Sequence, residues 1–162
     1  MDEDPVSLCF EVFNEIGIIE QLSRTLLEAR LPEGLIAPHF GVISHLSRRG
    51  DGRTPMEIAR AFQVPKTSMT HTIKGLEAHG LVEVRPNPDD GRSKLVWLTA
   101  RGQSFRDETI RAMVPDLNRL SEVYAAEKLI GILPALRELR AVLDADRDPP
   151  VSKNASGRMR AV

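Results

Sequence analysis

The chain has 162 residues, of which 41% are hydrophobic and 28% are charged, and its formal net charge is −1 at pH 7. A chain of this length predicts one domain with appended elements and a sizeable core. The near-neutral charge excludes a globally basic nucleic-acid coat protein but permits a local basic face. The single cysteine excludes a disulfide framework and a cysteine-rich zinc module, and it fits a reducing compartment.

The N-terminal segment is acidic, whereas a secretory signal begins with basic residues followed by an apolar run. No stretch approaches ~18 uninterrupted apolar residues, so the sequence predicts neither a spanning helix nor a membrane partner. The expected location is the cytoplasm.

Apolar residues recur at helical spacing from residue 6 to residue 31 and predict a long amphipathic helix. Gly17 costs such a helix about 1 kcal/mol relative to alanine, which predicts a close packing contact at that residue. A second helix is predicted over residues 38–48. The run Thr54-Pro55-Met56-Glu57 then predicts a capped helix start, with Glu57 completing a capping box.

After a short turn at residues 63–65, a helix is predicted over residues 66–79, ending at Gly80. Residues 81–85 and 94–98 predict two strands, joined by a polar turn cluster over residues 86–91. Thr99 caps a helix that runs from about residue 100 past residue 120, and Pro115 should kink or split it. A last helix carries leucines up to residue 143, with Pro134 interrupting or starting it.

The order of helix, tight turn, helix and hairpin predicts a winged helix-turn-helix. At about 100° per residue, Met69, Ile73 and Leu76 share the face of the second helix that points to the core. The outer face carries hydroxyls, an imidazole and an ammonium, which match phosphates and base-edge acceptors. The alternative is an ordinary solvated helix face. The predicted DNA contacts on this helix are Thr67, Ser68, Thr70, His71 and Lys74.

The hairpin adds three basic residues to this prediction, with Arg92 and Lys94 at its tip and Arg85 at its base. A guanidinium suits a narrow, negative minor groove, so Arg92 is predicted to enter one. Asp90 is predicted to pair with that guanidinium and aim it. The alternative is a surface loop with an incidental ion pair.

The runs Gly80-Leu81-Val82-Glu83, Pro86-Asn87-Pro88-Asp89-Asp90-Gly91-Arg92 and Leu95-Val96-Trp97-Leu98-Thr99, with Gly102, resemble the MarR family of transcriptional regulators. The family signature is an Asp-x-Arg wing tip followed by a strand that ends in Leu-Thr. Residues 35–40 look like the family's second-helix entry, and the resemblance covers roughly residues 6–146. Two positions depart from the pattern, because His71 and Val84 stand where the family commonly has arginine.

The resemblance implies a mainly helical fold with a small β wing, in which terminal helices join two copies into a homodimer. It implies dimerisation helices at residues 6–36 and 100–146 and a winged helix-turn-helix DNA-binding domain at residues 37–99. The small, polar and basic residues at the end of the chain separately predict a disordered tail at residues 147–162. The implied function is a ligand-responsive repressor that binds a double-stranded, pseudo-palindromic operator, with half-sites about one helical turn apart.

The resemblance also implies a small aromatic or anionic effector between the DNA-binding lobe and the dimerisation helices. The candidate lining residues are Phe13, Arg24, His39 and Phe40, each of which also fits a core or surface role. Cys9 resembles the sensing cysteine of the organic-hydroperoxide branch of the family, which makes a redox-sensing repressor an alternative. Acidic neighbours oppose thiolate formation, so a buried, inert Cys9 is the favoured prediction.

A further alternative is a winged helix that contacts protein instead of DNA, but the cations of the outer face and hairpin favour DNA. The four histidines lack metal-ligand spacing, so no metal is predicted. The sequence holds neither a phosphate-binding glycine loop nor a nucleophile elbow. We therefore expect a protein that is not an enzyme and carries no cofactor.

Overall fold

The computed structural model describes residues 4–147, which form six helices and one two-stranded antiparallel sheet. The predicted fold class, mainly helical with a small β wing, is confirmed. The predicted tail lies outside the described residues except for residue 147, which ends the last helix. In chain order the elements are α1 (Pro5–Glu28), α2 (Ala37–Arg49), α3 (Pro55–Phe62), α4 (Lys66–Ala78), β1 (Val82–Asn87), β2 (Asp90–Leu98), α5 (Ala100–Val123) and α6 (Ala126–Arg147).

The described residues divide into two compact units, one that ends at Pro115 and one that begins at Asp116. The hydrophobic core lies in the first unit, where α2, α3, α4 and the two strands meet. The inward face predicted for α4 is confirmed, since Met69, Ile73 and Leu76 are all buried. The remaining buried apolar residues are Leu35, Val42, Ile43, Leu46, Ile58, Ala59, Leu81, Val82 and Val96.

Helix α3 begins at the predicted capping box. The Glu57 N–H donates to the Thr54 hydroxyl oxygen at 3.2 Å, and the Thr54 N–H donates to the Glu57 carboxylate at 2.7 Å. Because Thr54 donates to this carboxylate from its N–H and its hydroxyl, the pKa of Glu57 lies below its ordinary value. The cap fixes where α3 starts and so sets the position of the turn into α4.

The wing formed by β1 and β2 is longer than predicted. Strand pairing runs from Val82 opposite Leu98 to Pro86 opposite Lys94, and then continues with Asn87 opposite Asp90. A register shift between Pro86 and Asn87 lets the ladder pass the proline, which has no N–H to donate. The predicted turn cluster over residues 86–91 is therefore mostly strand, and only residues 88–89 form the turn.

Pro115 and Pro134 lie inside the C-terminal helices, whereas the sequence predicted that they would interrupt them. Helix α5 continues through Pro115, and α6 begins at Ala126 and contains Pro134. Pro115 is exposed, so water can bond the carbonyl that the missing N–H leaves unpaired. The prediction of a split at Pro115 is therefore wrong, and the last helix does not start near Pro134.

Helix α1 buries none of its residues in the single chain. A Cβ added at Gly17 would meet nothing within 4 Å, so the close contact predicted there is not made within the described chain. Of the helices described, none is long and apolar enough to cross a bilayer.

Candidate nucleic-acid interface

The outer face of α4 presents most of the predicted DNA contacts to solvent. Thr67, Ser68, His71 and Lys74 are exposed, whereas Thr70 is half-buried. The Thr70 hydroxyl donates to the Lys66 carbonyl at 2.8 Å, so its hydrogen is already used within the helix. The face therefore offers two free-standing hydroxyls, an imidazole and an ammonium to an incoming ligand.

Two charged residues of α4 were not singled out from the sequence. Lys66 is exposed at the first position of the helix and adds a cation at the end nearest the helix-turn-helix turn. Glu77 is exposed as well, but at about 100° per residue it lies on the flank, away from the line through Thr67, His71 and Lys74. The central strip of the outer face therefore carries no carboxylate.

The wing tip does not contain the predicted ion pair between Asp90 and Arg92. Instead, the Asp90 carboxylate accepts the backbone N–H of Arg92 at 3.0 Å, which is an Asx-type turn. The Arg92 guanidinium forms no ion pair within the part of the chain that the structure describes. Asp90 thus shapes the backbone under Arg92 and leaves the exposed guanidinium uncommitted.

Arg85, at the base of the wing, is held in place on the sheet. Its Nη2 lies 2.8 Å from the Glu83 carboxylate, and its guanidinium carbon lies 5.1 Å from the Trp97 ring centroid. This hydrogen bond raises the pKa of Arg85 and lowers the pKa of Glu83. Lys94, the third predicted cation of the wing, is exposed near the tip. Arg85 therefore has less freedom than Arg92 to reach a nucleic acid.

A cationic segment next to the wing was not predicted from the sequence. Arg53 forms a β-bridge with Val96 of β2, which brings it to the side of the wing. Its Nη2 donates to the Arg49 carbonyl at 2.9 Å, and its Nη1 lies 3.8 Å from the Glu57 carboxylate. Three arginines within six residues, at positions 48, 49 and 53, were the signal that could have predicted this patch.

The four predicted effector residues do not share one cavity. Arg24 lines a cavity of about 420 Å³ between α1, α2 and α4, where its Nη2 lies 2.6 Å from the Glu20 carboxylate. Phe40 lines a different cavity of about 370 Å³. Phe13 is exposed on α1, and His39 is buried in the core with only 7% of its surface exposed.

The cavity beside Phe40 combines aromatic and cationic walls. The rings of His45 and Phe62 meet edge to face with centroids 5.5 Å apart. Arg48 and Arg106 also line it, and the Nε of Arg106 is buried without a hydrogen-bond partner in the described chain. Burial, and then the nearby arginines of residues 48–53, lower the pKa of His45, so the ring is neutral at pH 7.

Cys9 is exposed on α1 in the single chain, so the favoured prediction of a buried thiol is wrong there. Val6 and Phe10, on the same turns of α1, are exposed as well. Among the described residues, no group of three or more His, Cys, Asp or Glu side chains could hold a metal ion.

Comparisons with known proteins agree with this geometry. The model of the MarR family matches residues 33–93, which run from the loop before α2 to the wing tip. A Mycobacterium tuberculosis protein is 29% identical over 148 residues, covering 91% of this chain and 99% of that protein. The Escherichia coli multiple antibiotic resistance protein MarR is 29% identical over 117 residues, covering 67% of this chain and 81% of that protein.

The same fold occurs in solved structures of E. coli MarR. The apo form of the wild-type protein matches with a TM-score of 0.67 at 26% identity, over 78% of this chain and 94% of that chain. A mutant of that protein complexed with operator DNA matches with a TM-score of 0.69 at 24% identity, over 85% of this chain and 99% of that chain. The winged helix-turn-helix, its cationic face and these relatives together support membership of the MarR family, whose members are transcriptional regulators and not enzymes.

Proposed function

We propose that the protein is a sequence-specific DNA-binding repressor that acts as a homodimer on a pseudo-palindromic operator. One observation carries the proposal, namely the carboxylate-free central strip of α4 beside a wing whose Arg92 guanidinium is uncommitted. Hydroxyl, imidazole and ammonium groups match the acceptors that line a DNA groove. The operator complex of the E. coli relative supports the proposal by analogy.

The proposed contacts divide between the two grooves. Helix α4 enters the major groove with Thr67, Ser68, His71 and Lys74, while Thr70 contributes only its lone pairs. The Arg92 side chain enters the adjacent minor groove, on a turn that the Asp90 carboxylate holds. Lys94 and Arg85 supply charge to the phosphates along the wing, with Arg85 limited by its contact with Glu83.

The proposed homodimer follows from apolar side chains that the chain alone leaves in water. In the first unit, Val6 and Phe10 of α1 are each 74% exposed, and in the second unit Ile130 of α6 is 71% exposed. A soluble protein rarely leaves such large apolar faces uncovered. A second copy of this chain is the proposed cover, in keeping with the paired terminal helices that the family resemblance implies.

The proposed effector is a small aromatic anion in the cavity beside Phe40. The Phe40 and Phe62 rings offer apolar contact, and Arg48 and Arg106 offer positive charge to a carboxylate. Such a ligand would act only if it bound the DNA-free and DNA-bound states with unequal affinity. The predicted set of Phe13, Arg24, His39 and Phe40 is thereby reduced to Phe40.

Selection of DNA duplexes from a randomised pool tests the proposal. We expect the unaltered chain to enrich an inverted repeat and to release it when salicylate, a simple aromatic carboxylate, is added. Enrichment of no sequence would contradict DNA reading and favour the protein-contact alternative. Release of the duplex by salicylate from an Arg106→Ala variant, as from the unaltered chain, would contradict the cavity.

Peroxide sensing through Cys9 is the second candidate, and the exposure of its thiol in the single chain favours it. The test is binding of the selected duplex before and after treatment with organic peroxide. Loss of binding that a Cys9→Ser variant resists would support this candidate, and unchanged binding in both proteins would dismiss it.

A further inference from the structure

His39 joins the start of α2 to the middle of the helix that we propose reads DNA. It occupies the third position of α2, where its Nδ1 accepts the N–H of Ile36 at 3.1 Å. An imidazole here replaces the carboxylate of an ordinary capping box. Because Nδ1 accepts this bond, the neutral ring carries its hydrogen on Nε2.

The other edge of the same ring lies against the backbone of α4. A Cβ added at Gly75 would stand 2.6 Å from His39 Nε2, closer than real side chains approach. Gly75 is therefore the position at which α4 admits the ring, and the ring sets how close the two helices lie. With 7% of its surface exposed, His39 is one of two buried polar or charged residues in the described chain.

A proton on His39 would disturb both contacts. It would occupy Nδ1, the atom that accepts the Ile36 N–H, and would leave two donors facing each other. It would also place a charge in the core against α4. Burial lowers the pKa of His39, and so do His79, which directly follows α4, and His71 of α4, in that order of effect. From α1, the Glu28 carboxylate lies at the same helix start but accepts the Ala37 N–H at 2.8 Å.

We propose that His39 positions α4 for DNA binding and that protonation of its ring disrupts the packing of α2 against α4, so that acid weakens the affinity for DNA. The inference rests on the proposed DNA-binding function. Because the fold lowers the pKa of His39, the neutral ring stabilises the packing of α2 against α4 fully above the ordinary imidazole pKa of about 6.5. This stabilisation is lost as the pH falls from there through the lowered pKa. His71 is a second imidazole of α4 and is exposed on the outer face that we propose contacts the duplex.

The test compares His71→Gln with the double variant His71→Gln/His39→Gln, so that the imidazole of the outer face is absent from both. Glutamine can accept the Ile36 N–H without titrating. Affinity for the duplex selected at about pH 7.5 is measured there and at about pH 5. We expect about a tenfold loss in acid for the single variant and less than about twofold for the double variant. Equal losses would overturn the inference.

Failure of the DNA-binding proposal has its own signature. If the unaltered chain enriches no duplex at about pH 7.5, DNA reading itself is wrong, and the role of His39 in it falls as well. If the duplex binds but the two variants share one pH profile, only the inference about His39 is wrong.

A measurement on the unaltered chain avoids any effect of substitution on folding. The imidazole resonance of His39 is titrated by NMR with and without the selected duplex. If DNA binding requires the neutral ring, the pKa of His39 is lower in the complex than in the free chain. An equal or higher pKa in the complex would overturn the inference.

Gly75 supplies a test of position that does not involve pH. Gly75→Ala should weaken DNA binding about tenfold when His39 is present and less than about twofold in a His39→Ala chain, where the methyl group has space. Equal losses in the two chains would show that the ring does not set the position of α4.

Discussion

The winged domain, formed by α2, α3, α4, β1 and β2, differs from helix α1 in where it places its apolar side chains. Residues of α2, α3 and α4 bury a continuous core against the wing, whereas α1 buries none of its residues. Both segments show helical periodicity in the sequence, so periodicity alone does not separate them. The difference teaches that the winged domain holds its fold with its own core, while α1 needs another surface to cover it.

Removing a core leucine should have the largest effect. Leu46 of α2 is 1% exposed, so Leu46→Ala leaves a cavity and should lower the free energy of unfolding by about 2–5 kcal/mol. Chemical denaturation followed by circular dichroism measures this change. The matched control is Leu22→Ala on α1, which should cost far less under conditions where the chain is monomeric. Equal costs would erase the contrast between the two regions.

A charge on the apolar face of α1 should act on association and not on the fold. Phe10→Asp should weaken the proposed homodimer by about 3 kcal/mol or more, because Phe10 is 74% exposed in the single chain and each proposed dimer would lose the burial of two such rings. Sedimentation velocity across a concentration series measures the change, with Glu11→Gln as the control on the same helix. A Phe10→Asp chain that sediments as a dimer would show that this face is not the interface.

Arg92 and Arg85 allow two arginines of the wing to be compared, one whose guanidinium is uncommitted and one whose guanidinium is held on the sheet. Arg92→Ala should weaken binding of the selected duplex by about 1–3 kcal/mol. Arg85→Ala should weaken it less, because Glu83 and Trp97 already hold that guanidinium. Fluorescence anisotropy measures both, with Arg137→Ala on α6 as the control for loss of one positive charge. The wing assignment fails if Arg92→Ala binds as tightly as the control.

The cap of α3 should contribute a smaller, pH-dependent amount. Thr54→Ala should cost about 1 kcal/mol of stability at neutral pH. Because the pKa of Glu57 is lowered in the fold, its contribution is present above the unfolded value of about 4.3 and is lost as the pH falls further. Urea unfolding of the unaltered chain and of Glu57→Gln should therefore converge in acid, whereas a constant gap would contradict the reciprocal cap.

Cys9→Ser should have the smallest effect. The thiol is exposed in the single chain, so we expect a change in stability within about 0.5 kcal/mol and unchanged affinity for DNA. Thermal unfolding and anisotropy measure the two quantities. A large loss would mean that the thiol is covered in the assembled protein.

Local signals in the sequence predicted most of the winged domain. The Thr54 cap, the apolar face of α4 and the two-stranded wing depend on neighbouring residues, and all three are present. The wing was longer than predicted because a register shift absorbs Pro86, which no propensity reveals. The prediction of α5 split at Pro115 failed because an exposed helix can pass a proline at the cost of one hydrogen bond.

The candidate site was harder to predict because its details depend on contacts distant in sequence. The sequence showed that Asp90 precedes Arg92 by two residues, but not that the carboxylate prefers the backbone N–H over the guanidinium. It placed His39 among effector residues, whereas the fold buries the ring against Gly75, 36 positions further along the chain. The sequence did not predict that Arg53 pairs with Val96 of the wing, because the residues before it, Gly50-Asp51-Gly52, resemble a turn.

The bridge between Arg53 and Val96 has a mechanical consequence. The Gly52 N–H donates to the Val96 carbonyl at 3.0 Å, and the Leu98 N–H donates to the Asp51 carboxylate at 2.7 Å. These bonds tie the residues directly after α2 to β2, so a rotation of the wing relative to α2 would have to break them. A tilt of α2 would therefore move β2 with it. Because Arg92 is at the far end of the wing, a small rotation of α2 near Phe40 would displace Arg92 further than it displaces Phe40.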